Sequence, residues 1–290
     1  MSGPERLPLP DVVVRARAQV GEGPVFDART GRLCWVDINE RTLFETDLST
    51  GEQRETDVGL LLGAAVPRER EPGFAVAVAD GLGLWTDGAL DLREPVLPEP
   101  HRRMNDAKCD SRGRLWAGSN HMEFAPGGGA LHRWDGRGPS AVVRDGFTLP
   151  NGIGWTVEDD TMYFADTFAY TLYRADFDAD EGEVGPFSVH CTFGEEWPDG
   201  LAVDVEGCVW VAFWGSSEVR RIDPRGEVVA VVPMPVTQPS SCAFGDDGTL
   251  YITSACAGLS EEELAAQPLA GSVFAVATAT SGVPVHPFAA

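Results

Sequence analysis

Basic residues are scarce in this sequence. Its 290 residues include 22 lysines and arginines against 45 aspartates and glutamates, which gives a net charge of −23. Proteins that bind nucleic acid or anionic lipid use a basic surface to neutralise phosphate. We therefore expect neither nucleic acid nor a membrane surface among its partners.

Long apolar runs are missing as well. No run approaches the length of about 18 residues that suggests a membrane span, and the first twenty residues lack the apolar core of a signal peptide. The six cysteines are scattered without a CxxC pair, which favours buried reduced thiols over disulfides or a zinc site. The sequence predicts a cytoplasmic protein that is a monomer or a weak homo-oligomer.

Several catalytic motifs are absent, and so is long helical periodicity. The sequence contains no GxSxG, HExxH or GxxxxGK[ST], which argues against a serine hydrolase of the α/β type, a zinc protease and a P-loop nucleotidase. One helix is predicted over residues 260–267, where Ser260 and Glu263 form a capping box. Parallel α/β sheets need a crossover helix after each strand, so the sequence favours an all-β fold.

A turn followed by a short aromatic or β-branched run recurs along the whole chain. The starts of these runs are 42, 40, 47, 47 and 41 residues apart, at Gly31, Gly73, Gly113, Asp160, Gly207 and Gly248. Six units of this length predict a six-bladed β-propeller with four antiparallel strands in each blade. We expect these runs to be the inner strands of one domain over residues 1–290. We also expect residues 11–19 to pair with 271–279 and so close the ring with both termini.

Polar residues share one register in this repeat. Eight or nine residues before each run, the chain carries in turn Glu22, Ala64, Asn105, Asn151, Asp199 and Ser240. Equivalent positions in radially arranged blades form a ring around the central channel, where polar groups need a partner. Turn formation by Asn-Gly, Asn-Asp and Asp-Gly pairs explains each position alone, but it does not explain Glu22 or the shared register.

This ring predicts a site for one divalent cation. Carboxylates and amides without histidine form an oxygen-only ligand set, which suits Ca²⁺ best, while Mg²⁺, Mn²⁺ and Zn²⁺ remain possible. Three or four protein oxygens do not fill the coordination shell of calcium. The remaining positions would belong to water or substrate, as in a Lewis-acid catalyst.

Five motifs in series carry a family resemblance. They are GEGPVFD with CWVDI, RMNDAKCDSRGRLWAG, PNGIGW, WPDGLAVDVEG and SSCAFGDDGTLYITSA. In this order and spacing, from about residue 15 to 280, the chain resembles the SMP-30/gluconolactonase/LRE-like family, whose members include regucalcin and bacterial sugar lactonases. The resemblance implies a six-bladed propeller that binds one divalent cation and hydrolyses sugar (aldono-) lactones to aldonic acids.

The resemblance also implies roles for single residues. Glu22, Asn151 and Asp199 match the metal ligands, and Asp199 matches the general base. Arg103 and Asn105 match the contacts to substrate hydroxyls in the R-x-N-D motif, and Glu123 matches a further substrate contact. Two features depart from the family pattern: Ala107 stands where glycine is common, and the loop from His121 to Gly129 is particular to this chain.

Two other functions are compatible with these residues. One is a non-catalytic calcium-binding propeller of the regucalcin kind, which would bind metal without turning over a lactone. The other is a related propeller hydrolase that acts on phosphotriesters or hydrophobic lactones, which an apolar pocket mouth would favour. The sequence leaves open which lactone is used, and whether Asp199 or a metal-bound hydroxide is the effective base.

Overall fold

The computed structural model describes residues 3–94 and 101–290, and the chain forms six sheets arranged around one axis. Each first strand contacts the first strands of two neighbouring sheets, so that the six sheets close into a ring. The predicted all-β, six-bladed propeller is confirmed. That all of 1–290 forms one domain stays a prediction, because residues 1–2 and 95–100 lie outside the described ranges.

The blades follow the order of the chain. Blades 1 to 3 consist of Gly21–Asp27, Arg32–Asp37, Thr42–Asp47 and Gln53–Asp57; Leu62–Pro67, Phe74–Val78, Gly81–Thr86 and Ala89–Glu94; and Arg102–Cys109, Leu115–His121, Gly129–Trp134 and Ala141–Phe147. Blades 4 to 6 begin with Pro150–Trp155, Thr161–Asp166 and Thr171–Asp178; Trp197–Val203, Val209–Trp214, Glu218–Ile222 and Val228–Pro233; and Pro239–Phe244, Thr249–Ser254 and Val273–Ala277.

Both chain termini complete blades. Asp11–Val14 pairs antiparallel with Val273–Ala277 in blade 6, as predicted from the sequence. Glu5–Arg6 adds a parallel fifth strand to blade 5. In blade 4, two short segments, Glu183–Val184 and Ser188–Thr192, share the outer position beside the third strand.

The aromatic runs are not the inner strands, and this expectation was wrong. They form the second strand of each blade, and the innermost strands are the segments that precede them. The second strands, such as Val209–Trp214, pack between neighbouring blades and are nearly fully buried, which favours aromatic and β-branched side chains. The innermost strands meet one another at the axis, where small and polar residues fit better.

A recurrent aspartate turn connects the first two strands of a blade. In blade 5, Asp204 accepts hydrogen bonds from the backbone N–H groups of Glu206 and Cys208 and from Trp210 Nε1 at 2.9–3.0 Å. Asp110 makes the equivalent set in blade 3, including Trp116 Nε1 at 2.8 Å. One buried carboxylate thus fixes both the turn and the indole of the following strand, which explains the recurring spacing of Asp, Gly and Trp.

Every innermost strand is interrupted by a β-bulge. Residues without a ladder partner include Asn105, Asn151 and Asp199 in blades 3 to 5. In blade 2 the unpaired residue is Gly63, whereas the repeat register had placed Ala64 at this position. A Cβ atom on Gly63 would lie 2.3 Å from the carbonyl oxygen of Asn105. Glycine therefore allows neighbouring strands to approach closely, while the bulges turn the polar side chains toward the axis.

Only one short α-helix occurs in the described ranges, at Glu261–Ala266. Its N-terminus carries the predicted capping box, in which Glu263 N donates to Ser260 Oγ and Ser260 N donates to Glu263 Oε2. Within residues 3–94 and 101–290, no helix is long and apolar enough to cross a membrane. All six cysteines are free, and all but Cys191 are buried.

The C-terminal segment 281–290 crosses the face of the propeller where the innermost strands end. Backbone bonds join Val283 to Val203 and Ala289 to Gly113, so this segment links blades 5 and 3. Phe288 donates its backbone N–H to Pro67 of blade 2, and its ring, which is 0% exposed, stacks on Trp134 with ring centroids 5.1 Å apart. The segment covers one mouth of the channel and leaves the other mouth open.

We predict that Phe288→Ala lowers the free energy of unfolding by about 3–5 kcal/mol, the usual loss for a fully buried phenylalanine. Urea denaturation followed by tryptophan fluorescence measures the change. Leu9→Ala is the control, since Leu9 is 63% exposed and should change stability by less than about 0.5 kcal/mol. A similarly small loss for Phe288→Ala would show that the C-terminal segment does not stabilise the ring.

Candidate functional site

The open mouth leads into a cavity of about 400 Å³ at the beginning of the innermost strands. The bulged strands of blades 1, 3, 4 and 5 each contribute a charged or amide side chain to its floor. The polar lining comprises Glu22, Asn39, Arg103, Asn105, Asn151, Thr167 and Asp199. The structure thus brings five of the six predicted site residues to one cavity.

Two buried carboxylates, Glu22 and Asp199, define the electrostatics of the floor. Burial and the nearby charge of Asp106 raise the pKa of Glu22 to about 8. Burial and the charges of Glu22 and Asp106 also hold the pKa of Asp199 well above its usual range. Carboxylates in this position repel one another in their ionised forms, so the floor favours a cation.

Arg103 and Asn105 form a short network above the same floor. Arg103 Nη1 donates to Asn105 Oδ1 at 2.7 Å and to the carbonyl of Met104 at 3.0 Å, and Asn105 Nδ2 donates to the carbonyl of Pro150 at 2.8 Å. Burial lowers the pKa of Arg103 to about 10, although Glu22 and Asp199 oppose this shift. The guanidinium remains charged at neutral pH and partly balances the two carboxylates.

The amide of Asn151 is oriented by its neighbours. Its Nδ2 donates to Asp199 Oδ1 and, at 3.1 Å, to Thr167 Oγ1. Thr167 Oγ1 in turn donates to the carbonyl of Pro198 at 2.8 Å, which leaves it an acceptor toward Asn151. Asn151 Oδ1 is buried and has no hydrogen-bond partner. A buried amide oxygen without a partner is costly unless a ligand satisfies it.

The residues of the floor fit a divalent cation of the hard, oxygen-binding type. Glu22 and Asp199 provide carboxylate oxygens, and the unpartnered Oδ1 of Asn151 provides a neutral one, as Ca²⁺ prefers. In the described parts of the chain, no group of three or more His, Cys, Asp or Glu side chains is placed to hold a metal. The candidate set therefore depends on the amide of Asn151.

Glu123 lies apart from the other predicted site residues. It is exposed in the turn after Leu115–His121 and is not part of the cavity lining, which receives its neighbours Met122 and Phe124 instead. Its backbone N–H donates to His121 Nδ1 at 3.1 Å. Its predicted role as a substrate contact gains no support from this placement.

Sequence reasoning missed three features of the site. Asp106 is buried beside the floor and acts on the pKa of both Glu22 and Asp199; its place in the R-x-N-D motif was the available signal. Thr167 follows the second strand of blade 4 and orients Asn151 in the first strand of that blade, and no sequence signal pointed to it. The wall of the cavity is apolar and includes Phe168 and Trp197, because loops of three blades meet there.

A second cavity of about 480 Å³ lies beneath the C-terminal segment, at the other end of the innermost strands. Asp27 and Arg29 in its lining are paired with each other at 2.8 Å, and Asp246 lines it as well. The cavity at the open mouth holds two buried carboxylates and the unpartnered oxygen of Asn151, and it is therefore the candidate active site.

The comparison with known sequences agrees with this arrangement. The sequence profile of the SMP-30/Gluconolactonase/LRE-like region matches residues 20–256, from just before Glu22 to beyond the last blade's second strand. The chain belongs to this family. It is 34% identical over 289 residues to the putative sugar lactone lactonase YvrE of Bacillus subtilis, covering 96% of this chain and 99% of that protein.

Two further proteins are similar to this chain over most of its length. The 6-deoxy-6-sulfogluconolactonase of Pseudomonas putida is 35% identical over 272 residues, covering 91% of this chain and 92% of that protein. The crystal structure of regucalcin from Agrobacterium tumefaciens, described as a calcium-binding protein, superposes with a TM-score of 0.91 at 27% identity, covering 100% of this chain and 99% of that one. The chain is thus a gluconolactonase-like propeller related to sugar lactonases and to regucalcin.

We predict that Thr167→Val lowers the free energy of unfolding by about 1–3 kcal/mol, because it leaves the buried carbonyl of Pro198 and one N–H of Asn151 without a partner. Urea denaturation measures the change. Thr167→Ser keeps the hydroxyl and should recover most of the loss. Equal losses in the two variants would contradict the prediction, because the hydroxyl that Thr167→Ser retains would then not account for the loss in Thr167→Val.

Proposed function

We propose that this protein hydrolyses the ring ester of sugar lactones to the corresponding aldonic acids, with one divalent cation bound by Glu22, Asn151 and Asp199. The observation that carries the proposal is the buried, unpartnered oxygen of Asn151 in a cavity that the buried carboxylates of Glu22 and Asp199 also line. Related proteins named as sugar lactonases support the reaction, and regucalcin supports the cation.

The reaction requires a proton acceptor and groups that orient the lactone. Water adds to the carbonyl carbon, the ring C–O bond breaks, and the released alkoxide oxygen takes up a proton. In this proposal the carboxylate of Asp199, which is buried at the floor, accepts the proton of the attacking water. A divalent cation bound at this floor would act as a Lewis acid toward the lactone carbonyl.

Arg103 and Asn105 orient the substrate in this proposal. Arg103 uses Nη1 for its contacts within the protein, and its remaining N–H groups can donate to substrate oxygens. Asn105 is held in place by Arg103 and by the carbonyl of Pro150. It acts mainly by fixing the guanidinium, and its predicted direct contact with substrate hydroxyls is secondary.

The experiment that tests the proposal is proton release from a panel of aldonolactones. Protein stripped of metal by a chelator is compared with the same protein reconstituted with Ca²⁺, Zn²⁺, Mn²⁺ or Mg²⁺. We expect turnover to require metal and to return with at least one of them. Metal binding without turnover of any lactone would instead support the non-catalytic calcium-binding function.

We predict that Asp199→Asn reduces turnover at saturating metal by about 10²–10⁴-fold, the usual effect of losing a general base. Metal affinity, measured by isothermal titration, should fall too, because one carboxylate charge is removed. The steady-state rate on the best lactone of the panel gives the turnover.

Ser240→Ala is the matched control for this variant. Ser240 occupies the bulge of blade 6, but its hydroxyl donates to the carbonyl of Gly21 and lies 3.0 Å from Thr253 Oγ1, and it does not line the cavity. We expect its turnover to stay within a few fold of wild type. If excess metal restored Asp199→Asn to wild-type turnover, Asp199 would be a ligand only, and the base would have to be another group.

A further inference from the structure

The cavity separates polar and apolar surfaces sharply. Its floor carries the carboxylates, the amides and Arg103, whereas the wall near the mouth carries Met122, Phe124, Phe168 and Trp197. Phe124 and Trp197 are exposed, at 39% and 38%, and both line this cavity. Exposed aromatic groups that converge on one cavity mark a binding surface.

Three of these rings form one continuous wall that spans three blades. The centroids of Phe124 and Phe168 are 5.0 Å apart, and those of Phe168 and Trp197 are 6.0 Å apart. Phe124 follows the second strand of blade 3, Phe168 lies in the 3₁₀ turn Thr167–Ala169 of blade 4, and Trp197 begins blade 5. The wall therefore belongs to the tertiary structure and is not a local cluster.

Backbone and side-chain contacts hold two residues of this wall in place. Phe124 adopts φ = +54°, in the left-handed region that bulky residues rarely occupy. Its N–H bonds to the carbonyl of His121 at 2.9 Å. Beside Trp197, the carboxylate of Glu196 accepts two bonds from Arg220 at 2.6 and 2.7 Å. Strained or clamped positions of this kind cluster at ligand-binding sites.

The polar groups left for a ligand are fewer than the sequence suggested. Glu123 is outside the cavity, and Asn105 already accepts from Arg103 and donates to the carbonyl of Pro150. The three rings offer a ligand hydroxyl no acceptor and a single donor, the indole N–H of Trp197. An apolar group at the same place would exclude water from both surfaces and bind favourably.

We infer that, besides sugar lactones, the site accepts lactones that carry an apolar substituent, with the ester at the polar floor and the substituent against Phe124, Phe168 and Trp197. This inference rests on the proposed hydrolysis at Asp199 and adds a second substrate class to it. The alkyl or aryl group is attached to the ring carbon that bears the ester oxygen, so that it points away from the reacting carbonyl. The aromatic wall determines specificity and takes no part in the chemical step.

Turnover of a matched pair of lactones tests the inference. δ-Valerolactone and its 6-butyl derivative, in which the butyl group is on the ring carbon that bears the ester oxygen, share the reacting ring and differ in the apolar group alone. In the metal-reconstituted protein we expect kcat/KM to be at least about tenfold higher for the butyl derivative, since apolar pockets discriminate by this order for small apolar groups. Trp197→Ala and Phe168→Ala should each reduce this ratio severalfold, and the double variant should bring it near one.

Val142→Ala is the control, because Val142 is 60% exposed on an outer strand away from the cavity. It should leave the ratio unchanged. A ratio near one in the wild-type protein, or a ratio that survives both aromatic substitutions, would overturn the inference even if gluconolactone were hydrolysed.

Binding of lactams separates this inference from the proposed function. δ-Valerolactam and its 6-butyl derivative have the same ring but resist hydrolysis, and titration calorimetry compares their dissociation constants. Tighter binding of the butyl lactam that is lost in Trp197→Ala would support the apolar subsite. If no lactone were turned over in the same protein, the proposed hydrolysis would be refuted and the subsite would still stand. Equal binding of both lactams in the wild-type protein would refute the subsite.

Discussion

The close approach of six bulged strands at the axis is the constraint on which the site depends. A regular strand would alternate its side chains between the two neighbouring blades and give the channel none in this position. The bulges at Asn105, Asn151 and Asp199 break the ladder and turn these side chains to the axis. Glycines beside them, such as Gly200, whose Cβ would lie 1.9 Å from Ser241 Oγ, allow the strands to meet.

This geometry concentrates charge where water is limited. Glu22, Asp106 and Asp199 are all buried, and burial raises the pKa of each. The charge of Asp106 raises the pKa of Glu22 further, and the charges of Glu22 and Asp106 do the same for Asp199. Arg103 offsets part of the negative charge, and Lys108, whose ammonium donates to the carbonyl of Leu201 at 2.7 Å, lies further along the channel. A buried cluster of this composition is costly for the protein alone. The proposed cation at the floor would offset this cost.

The two ends of the channel serve different purposes. The C-terminal segment seals one end with backbone hydrogen bonds and with the ring of Phe288, so it contributes stability and limits access from that side. The other end stays open, and the loops there carry aromatic residues that the fold itself does not need to bury. A polar floor under an apolar wall gives a ligand a defined orientation. Its polar groups can form hydrogen bonds at the floor, and its apolar groups can pack against the wall.

The sequence by itself determined the architecture and the polar floor. The repeat of 40 to 47 residues required six similar blades, and the shared register of Glu22, Asn151 and Asp199 followed from it, because equivalent positions in a propeller are brought together by symmetry. The sequence misassigned the inner strands, since aromatic runs report burial on both faces and not distance from the axis. Tertiary structure alone decided that Glu123 lies outside the cavity and that Thr167 orients Asn151. It also decided that Phe124, Phe168 and Trp197 form one wall, because these contacts join loops of different blades and no periodicity in the chain specifies them.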